Sequence, residues 1–387
     1  MKIEQDWIRN EATQTVCRAL TAAGAQALFV GGCVRNALMG EPVSDMDIAT
    51  DARPETVIAL AKAAGIKAIP TGIDHGTVTL VVDGIPHEVT TFRKDVETDG
   101  RRAVVAFADD IAEDAARRDF TMNAIYARPD GTVVDPLGGL PDLQARRLRF
   151  IGNAEDRIRE DYLRTLRYFR FHAWYGNHAE GFDPDALAAI AATLEGLDTL
   201  SRERVGTELV KLLSAPDPAP AVATMRQIGV LAHILPGADD RALAPLVHLE
   251  GGRRPEATRR LAALGGEDLQ KTLRLSKSVS TRVAQLREGI GAAAGAAELA
   301  YRHDADFARD VILLRAAVLE MPLAPNFEAD IARAATSFFP LAAKDLMPAY
   351  TGPELGKRLR ILENAWIASG FELSRAALLA LPDTPPE

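Results

Sequence analysis

Two glycines, an arginine and two acids stand close together in LFVGGCVRNALMGEPVSDMDIAT, Leu28 to Thr50. Gly31 and Gly32 follow an apolar run, Arg35 comes soon after, and Asp45 and Asp47 close the stretch. Without a Cβ, the glycines let a ligand approach the backbone. Free N–H groups at the start of a following helix favour phosphate, and Arg35 adds a fixed cationic fork. Asp45 and Asp47, read as residues i and i+2 of an extended strand, share one face at a separation of roughly 7 Å. Such a pair repels phosphate unless a cation lies between. Hard oxygen ligands suit Mg2+, which takes a few carboxylates plus substrate phosphates and reverses the local charge. Two such ions clamp the attacking and leaving oxygens of an in-line displacement. Alone, the Gly-Gly pair reads as a plain turn and D-x-D as an exposed loop; joined at this distance they point to metal-assisted chemistry at phosphorus.

These residues need a strand, a turn and a helix to hold them. Ala27–Val30 reads as a short buried strand ending at the glycines. Thr77–Val82, Asp83-Gly84 and Ile85–Phe92 read as a hairpin, because Asp-Gly suits a primed turn. Tyr126–Arg128 and Thr132–Val134, joined by Pro-Asp-Gly, read as a second one, and Pro54–Ala64 as a helix. After residue 150 strand signals nearly vanish, and Leu, Ala and Arg recur at helical spacing. The fold class expected is an α+β N-terminal head, with a mixed sheet and helices, followed by an all-α neck, body and tail. The divisions expected are 1–145, 146–215, 216–320 and 321–387, with breaks at Ala215–Pro220, Gly251-Gly252 and Pro322–Pro325. The tail LPDTPPE is expected to fray.

The 387 residues are enough for two or more domains. Hydrophobic residues make up 47% and charged ones 26%, ordinary for a globular protein. No apolar run reaches membrane-spanning length, and the polar start MKIEQDWIRNEATQ has no signal-peptide core. The cytoplasm is the expected compartment, with no membrane partner. Cys17 and Cys33 suggest neither a zinc site nor a disulfide framework, and Cys33 reads as a small hydrophobe. The net charge of −9 does not point to nucleic acid, so any such binding must come from clustered arginines.

The most informative later segment is EDYLRTLRYFR, Glu160 to Arg170. In a helix, Asp161 and Arg164 are i and i+3 neighbours. One reading is a surface ion pair worth roughly a few tenths of a kcal/mol. The other is a base-reading pair. A carboxylate only accepts hydrogen bonds and a guanidinium only donates. Cytosine offers an amino donor beside the N3 acceptor, and adenine an amino donor beside N1, so both match. Guanine and uracil present the reverse pattern, which leaves polar groups unpaired.

The combination G-G-x-V-R-x-x-L with D-x-D resembles the nucleotidyltransferase superfamily, specifically the class II tRNA nucleotidyltransferases and bacterial poly(A) polymerases. Further motifs of that family occur in order over the first 215 residues. In HEVTTFRKD, Glu88 is either a third carboxylate beside Asp45 and Asp47 or a solvent-facing strand residue. Arg93–Phe107, with few strand or helix cues, corresponds to a flexible loop associated with the final A addition. RRDFTMNA resembles the motif that meets ribose and phosphates, which assigns Arg118 to the triphosphate and Asp119 and Asn123 to hydroxyls. As a bare residue, Asp119 serves equally as a helix N-cap. DPLGGLPDL, Asp135 to Leu143, matches a hinge-like connection. Arg167 and Arg170 continue the Arg164 stripe, and the resemblance places them in the nucleotide site. SRERVGTELVKLL, Ser201 to Leu213, matches the motif that buttresses that helix, although Arg204 and Glu208 at i, i+4 also suit ordinary helix support.

The resemblance implies C, C and A addition to tRNA 3′ ends from CTP and ATP, with Mg2+ as cofactor; poly(A), CC-only and A-only activities are the alternatives. The oligomeric state is left open. Asn36 stands where the family usually has Asp, which leaves any carboxylate role there in doubt. His303-Asp304 has no partner histidines, so no appended phosphohydrolase is expected. Basic clusters at Arg253, Arg254, Arg259 and Arg260, at Lys271, Arg274, Lys277 and Arg282, and at Lys357, Arg358 and Arg360 are either phosphate contacts or solvated helix faces. Two readings from other classes remain. A dinucleotide-binding oxidoreductase would need the G-x-G-x-x-G that is missing. A non-catalytic helical RNA-binding protein would not need Asp45 and Asp47.

Overall fold

The computed structural model describes residues 1–99 and 102–382; for 95–99 and 102–105 it describes the backbone alone. The chain divides into two compact units, Met1–Pro236 and Gly237–Glu387. This division falls inside the 216–320 span expected for the helical body.

The first unit carries a mixed seven-stranded sheet in the order β3-β4-β5-β2-β1-β8-β9. Its strands are β1 (Leu28–Val30), β2 (Asp47–Thr50), β3 (Lys67–Gly72), β4 (Thr77–Val82), β5 (Ile85–Thr91), β8 (Tyr126–Ala127) and β9 (Val133–Val134). Only β2 and β5 pair in parallel, and that pairing sets Asp47 opposite Glu88. The β4–β5 hairpin turns on Asp83 (φ 51°) and Gly84 (φ 78°), both in the left-handed region that a primed turn demands. Alternation then buries His87, Val89 and Thr91 on one face of β5 and exposes Glu88 on the other. Leu28, Val30, Ala49, Phe92, Tyr126 and Ile151 form part of the core beneath the sheet.

Arg93–Phe107 is not the irregular loop expected. Its backbone forms β6 (Arg93–Asp99) and β7 (Arg102–Phe107), an antiparallel pair of its own. Because β6 and β7 join no strand of the main sheet, that sheet imprints no apolar alternation on them. The base of the ribbon is anchored: Ala108 N donates to Phe92 O at 2.8 Å, and a Cβ on Gly76 would lie 2.8 Å from the Phe107 ring. The expected fraying of LPDTPPE falls, from residue 383 on, outside the described residues.

After the sheet the first unit is helical, with Ala154–Glu160, Leu163–Tyr175, Pro184–Ala192 and Arg202–Leu213 the helices that matter below. The Leu163–Tyr175 helix buries Leu166, Tyr168, Phe169 and Phe171 and leaves its arginines on a more open side.

The second unit is helical throughout its described part. Leu341, Leu346, Leu362, Trp366 and Leu378 form one of its apolar clusters. A charged cluster is also buried there. Glu250 accepts hydrogen bonds from Arg259 and Arg260, and Asp310 accepts from Arg259 at 2.6 Å and from Arg282 at 3.2 Å. Arg260 is 1% exposed and Arg259 5%. These two arginines are therefore structural rather than open phosphate contacts, as is Arg358, which donates to the carbonyls of Leu381 and Pro382. Arg254, Lys271 and Lys277 stay exposed.

Candidate active site

Val30 ends β1, and Gly31 turns the chain with φ 72° and ψ −125° into the Gly32–Met39 helix. Such a backbone favours glycine for conformation alone. Space gives a second reason. A Cβ on Gly31 would lie 3.7 Å from Arg118 Nη1 and 3.9 Å from Asp47 Oδ2. The turn thus faces a guanidinium and a carboxylate at once.

Asp47 opens β2, but Asp45 lies in the irregular segment before it. The same-face strand geometry expected for the pair is therefore corrected. Asp45 is exposed, with Ser44 Oγ donating to it at 2.9 Å. The parallel register supplies Glu88 as the neighbour that D-x-D spacing alone does not give. The Asp47 carboxyl is pushed up to about 6, chiefly by burial, then by Glu88, with Asp45 adding and Arg118 opposing. Among the described residues, no three His, Cys, Asp or Glu side chains already stand at metal-ligand spacing. The donor set fits a hard divalent cation bound through one or two carboxylates and completed by substrate phosphates. It does not fit a closed protein cage.

Arg118 sits behind the turn. Its Nε donates to Tyr126 Oη at 3.1 Å and its Nη2 to Asp114 Oδ2 at 3.0 Å, so Nη1 is the end that faces Gly31. Asp114 is 1% exposed. Burial pushes its carboxyl up, but Arg118, Arg117 and the Tyr126 hydroxyl outweigh burial and hold it below the usual range.

Arg35 is not an open fork. It is 6% exposed; Nη1 donates to Asn123 Oδ1 at 2.7 Å and Nη2 to Tyr175 Oη at 2.9 Å. Its guanidinium also lies 4.0 Å from the Tyr175 ring centroid. Asn123 Nδ2 in turn donates to Asp119 Oδ1 at 3.0 Å, and Asp119 Oδ2 accepts from Arg167 Nε at 2.8 Å. An unbroken chain of hydrogen bonds, Tyr175–Arg35–Asn123–Asp119–Arg167, therefore ties the helix after the glycine turn to the Leu163–Tyr175 helix. Asn36, in the usual place of an acid, accepts from Arg35 and donates to Pro42 O at 2.8 Å.

The segment expected as one continuous helix breaks at Asp161 (φ −154°, ψ 103°), between Ala154–Glu160 and Leu163–Tyr175. Asp161 and Arg164 are close in sequence but are not a pair. Asp161 Oδ1 accepts from Leu163 N at 3.1 Å and Oδ2 from Arg204 Nη2 at 2.6 Å. Arg164 pairs with Glu160 instead. Arg170 Nε donates to Glu208 Oε2 at 2.6 Å. Arg204 thus reaches the break at Asp161 and Glu208 the Leu163–Tyr175 helix, rather than pairing with each other. Packing reinforces the break: a Cβ on Gly196 would lie 1.8 Å from the Tyr162 ring.

Comparison with known proteins bears on this arrangement. A CCA-adding enzyme of Bacillus stearothermophilus, solved with CTP, is 30% identical and superposes with a TM-score of 0.75 over 95% of this chain and 96% of its own. The chain belongs to the class II CCA-adding and poly(A) polymerase family. The Poly A polymerase head domain matches residues 27–149, and the probable RNA- and SrmB-binding region of polymerase A matches residues 181–241. The mitochondrial CCA tRNA nucleotidyltransferase 1 of Mus musculus is 41% identical over 207 residues, 53% of this chain and 48% of its own. A CCA-adding enzyme of Geobacillus thermodenitrificans is 41% identical over 224 residues, 57% and 54% of the two chains. These alignments span about half the length of the curated relatives.

Four residues of this arrangement escape a reading of the sequence. Asp114 and Tyr126 hold Arg118, Tyr175 holds Arg35, and Glu160 holds Arg164. Asp114–Arg118 and Glu160–Arg164 stand at i, i+4, a signal that was available. Tyr126 and Tyr175 carry no local signal, because each meets its arginine through the fold.

Proposed function

We propose that this chain adds C, C and A to tRNA 3′ ends from CTP and ATP, without a nucleic-acid template, releasing pyrophosphate. The observation that carries the reading is the Gly31 turn, where Arg118 Nη1 and Asp47 Oδ2 both lie within 4 Å of the missing Cβ. A nucleoside triphosphate needs both: a cation against its phosphates, and acids that hold the cation its α-phosphate requires.

Asp45 and Asp47 hold the metal, with Glu88 as the third acid. Mg2+ is the ion proposed, and when bound it polarises the α-phosphate and favours the ionised 3′ hydroxyl. Gly31, Gly32 and Arg118 cradle the triphosphate. Arg35 acts from behind the turn, fixing Asn123 and Asp119 beside the ribose. Asp161 and Arg164 read the base, while Arg167 and Arg170 hold that helix against Asp119 and Glu208. The RNA 3′ oxygen bonds to the α-phosphorus, the bond to the β-phosphate oxygen breaks, and a carboxylate of the acid cluster is the acceptor proposed for the hydroxyl proton.

Within this reading 1–145 is the catalytic head, 146–215 the base-selecting neck, and 216–320 and 321–387 the helical body and tail that meet RNA. Arg254, Lys271 and Lys277 are the exposed cations offered to phosphate. Cys17 and Cys33 are free and buried, which suits a reducing compartment, and we propose the cytoplasm. No helix among the described residues is long and apolar enough to cross a membrane.

The test incubates the protein with a tRNA lacking its last three nucleotides, CTP and ATP, with Mg2+ or with chelator. Addition of C, C and A followed by a stop is expected, and none with chelator. A long A tail would make it a poly(A) polymerase, a halt after CC a CC-only enzyme, and addition of A only to a CC end an A-only enzyme. Asp47→Asn should abolish incorporation without lowering the melting temperature, because it removes a charge crowded by Glu88 and Asp45. Full activity in that variant would sink the proposal.

A further inference from the structure

Behind the acids, three side chains from three segments meet. Thr13 Oγ1 lies 3.0 Å from His87 Nε2 and 3.5 Å from Met46 Sδ. Thr13 comes from the helix Glu11–Thr21, whose buried face is otherwise Ala12, Val16, Cys17 and Leu20. His87 lies on the face of β5 opposite Glu88. Thr13 and His87 are both 0% exposed. Among the described residues, no other side chain hydrogen-bonds the His87 ring. One arrangement lets the single hydroxyl proton serve both contacts: His87 Nε2–H donates to Thr13 Oγ1, and Thr13 donates to the weakly accepting Met46 sulfur.

The neighbours of this clasp are the acids. Met46 stands between Asp45 and Asp47, and His87 directly precedes Glu88. Asp47 and Glu88 are register partners on adjacent strands. Like charges set opposite each other repel, so the acids that would share a cation push apart before it binds. Asp45 has no ladder to hold it, because it lies in the irregular segment before β2. Glu88 N donates to Met46 O at 3.2 Å, which joins the two segments once through the backbone. Thr13 joins them again through side chains. Its helix is a fixed platform: Asn10 caps it, and Gln14 Nε2 donates to Pro129 O at 2.9 Å.

We propose that Thr13 and His87 are positioning residues that set, from the back of the sheet, the spacing of Asp45 and Asp47 against Glu88, and with it the affinity for a divalent cation. This rests on the proposal that those acids hold the metal. It explains a hydroxyl and an imidazole inside otherwise apolar layers by what they do for the opposite face.

The experiment compares the full chain with its Thr13→Val, Thr13→Ser and His87→Leu variants. Mn2+ binding is measured by titration calorimetry with CTP present and no RNA, so that nothing turns over. Melting temperature and the Mg2+ concentration for half-maximal CTP incorporation are read alongside. Thr13→Val keeps the shape and loses the hydroxyl. It should bind Mn2+ on the order of three- to tenfold more weakly, the worth of one neutral hydrogen bond, and need correspondingly more Mg2+. His87→Leu removes the same bond from the other side and should weaken Mn2+ likewise, whereas Thr13→Ser should keep most of the affinity. Unchanged Mn2+ affinity in Thr13→Val and His87→Leu, whatever their melting temperatures, would overturn the proposal and leave the clasp a packing contact. So would a loss in Thr13→Ser equal to that in Thr13→Val. Asp47→Asn tests the underlying reading separately. If that variant binds Mn2+ normally, the assignment of the metal to these acids fails. If it loses Mn2+ while Thr13→Val and His87→Leu keep it, only the role of Thr13 and His87 fails.

Discussion

Gly31 shows how one residue serves conformation and chemistry together. Its φ of 72° disfavours any side chain, and the place a Cβ would take is bounded by Arg118 and Asp47. Gly31→Ala should lower stability by about 1–3 kcal/mol through backbone strain. It should also weaken CTP binding on the order of tenfold or more by filling the cradle. Calorimetric titration of CTP beside a thermal melt separates the two effects, and unaltered CTP affinity would contradict the placement. Gly31 and Asp47 were legible in the sequence because their residue types do work that few others can. Arg35 was legible as important but not in its manner. The sequence shows a cation near a glycine turn; only the fold brings Asn123 and Tyr175 to it.

At the scale of elements, the helix Leu163–Tyr175 is held by ion pairs reaching it from other elements. Asp119 meets Arg167, Glu208 meets Arg170, and Arg204 meets Asp161 just ahead of the helix. Asp119 is 8% exposed. Burial raises its carboxyl, but Arg167, Asn123 and the Phe120 N–H overcome that and leave it below the ordinary carboxylate range. A carboxyl lowered by folding stabilises the native state above its unfolded value, about 3.9. That contribution is lost as pH falls through the lower folded value. Stability should therefore drop below about pH 4, and Asp119→Asn should drop less steeply there. Urea denaturation followed between neutral and acid pH checks this, and parallel slopes for the two proteins would count against it. The break at Asp161 was hidden because Ala154 to Tyr175 keeps helical spacing across it, so periodicity carries no trace of the interruption. The β6–β7 ribbon was hidden for the opposite reason, since it pairs without an apolar pattern to announce it.

For the molecule as a whole, the two units hold charge differently. The first spreads its buried charges, Arg35, Asp114, Asp119 and Glu208 among them, around the site, whereas the second gathers Glu250, Arg259, Arg260 and Asp310 into one cluster. Glu250→Ala removes the carboxylate that both arginines share and should cost about 3–5 kcal/mol. Equilibrium denaturation of the full chain measures it, and a loss under about 1 kcal/mol would show that the shared carboxylate is dispensable. Arg259 and Arg260 are neither the phosphate contacts nor the solvated helix face that the sequence allowed, because a run of cations is read without its partners.

Gly196 lies far along the chain from the acids of β2, yet the Tyr162 ring fills the space where its side chain would stand. Tyr162 follows Asp161 directly, so a methyl group at 196 would shift the carboxylate proposed to inspect the incoming base while leaving the glycine turn untouched. On that proposal, damage there would surface as misspelled transfer RNA ends made at near-normal speed: a mutator phenotype born of crowding, remote from any reacting atom.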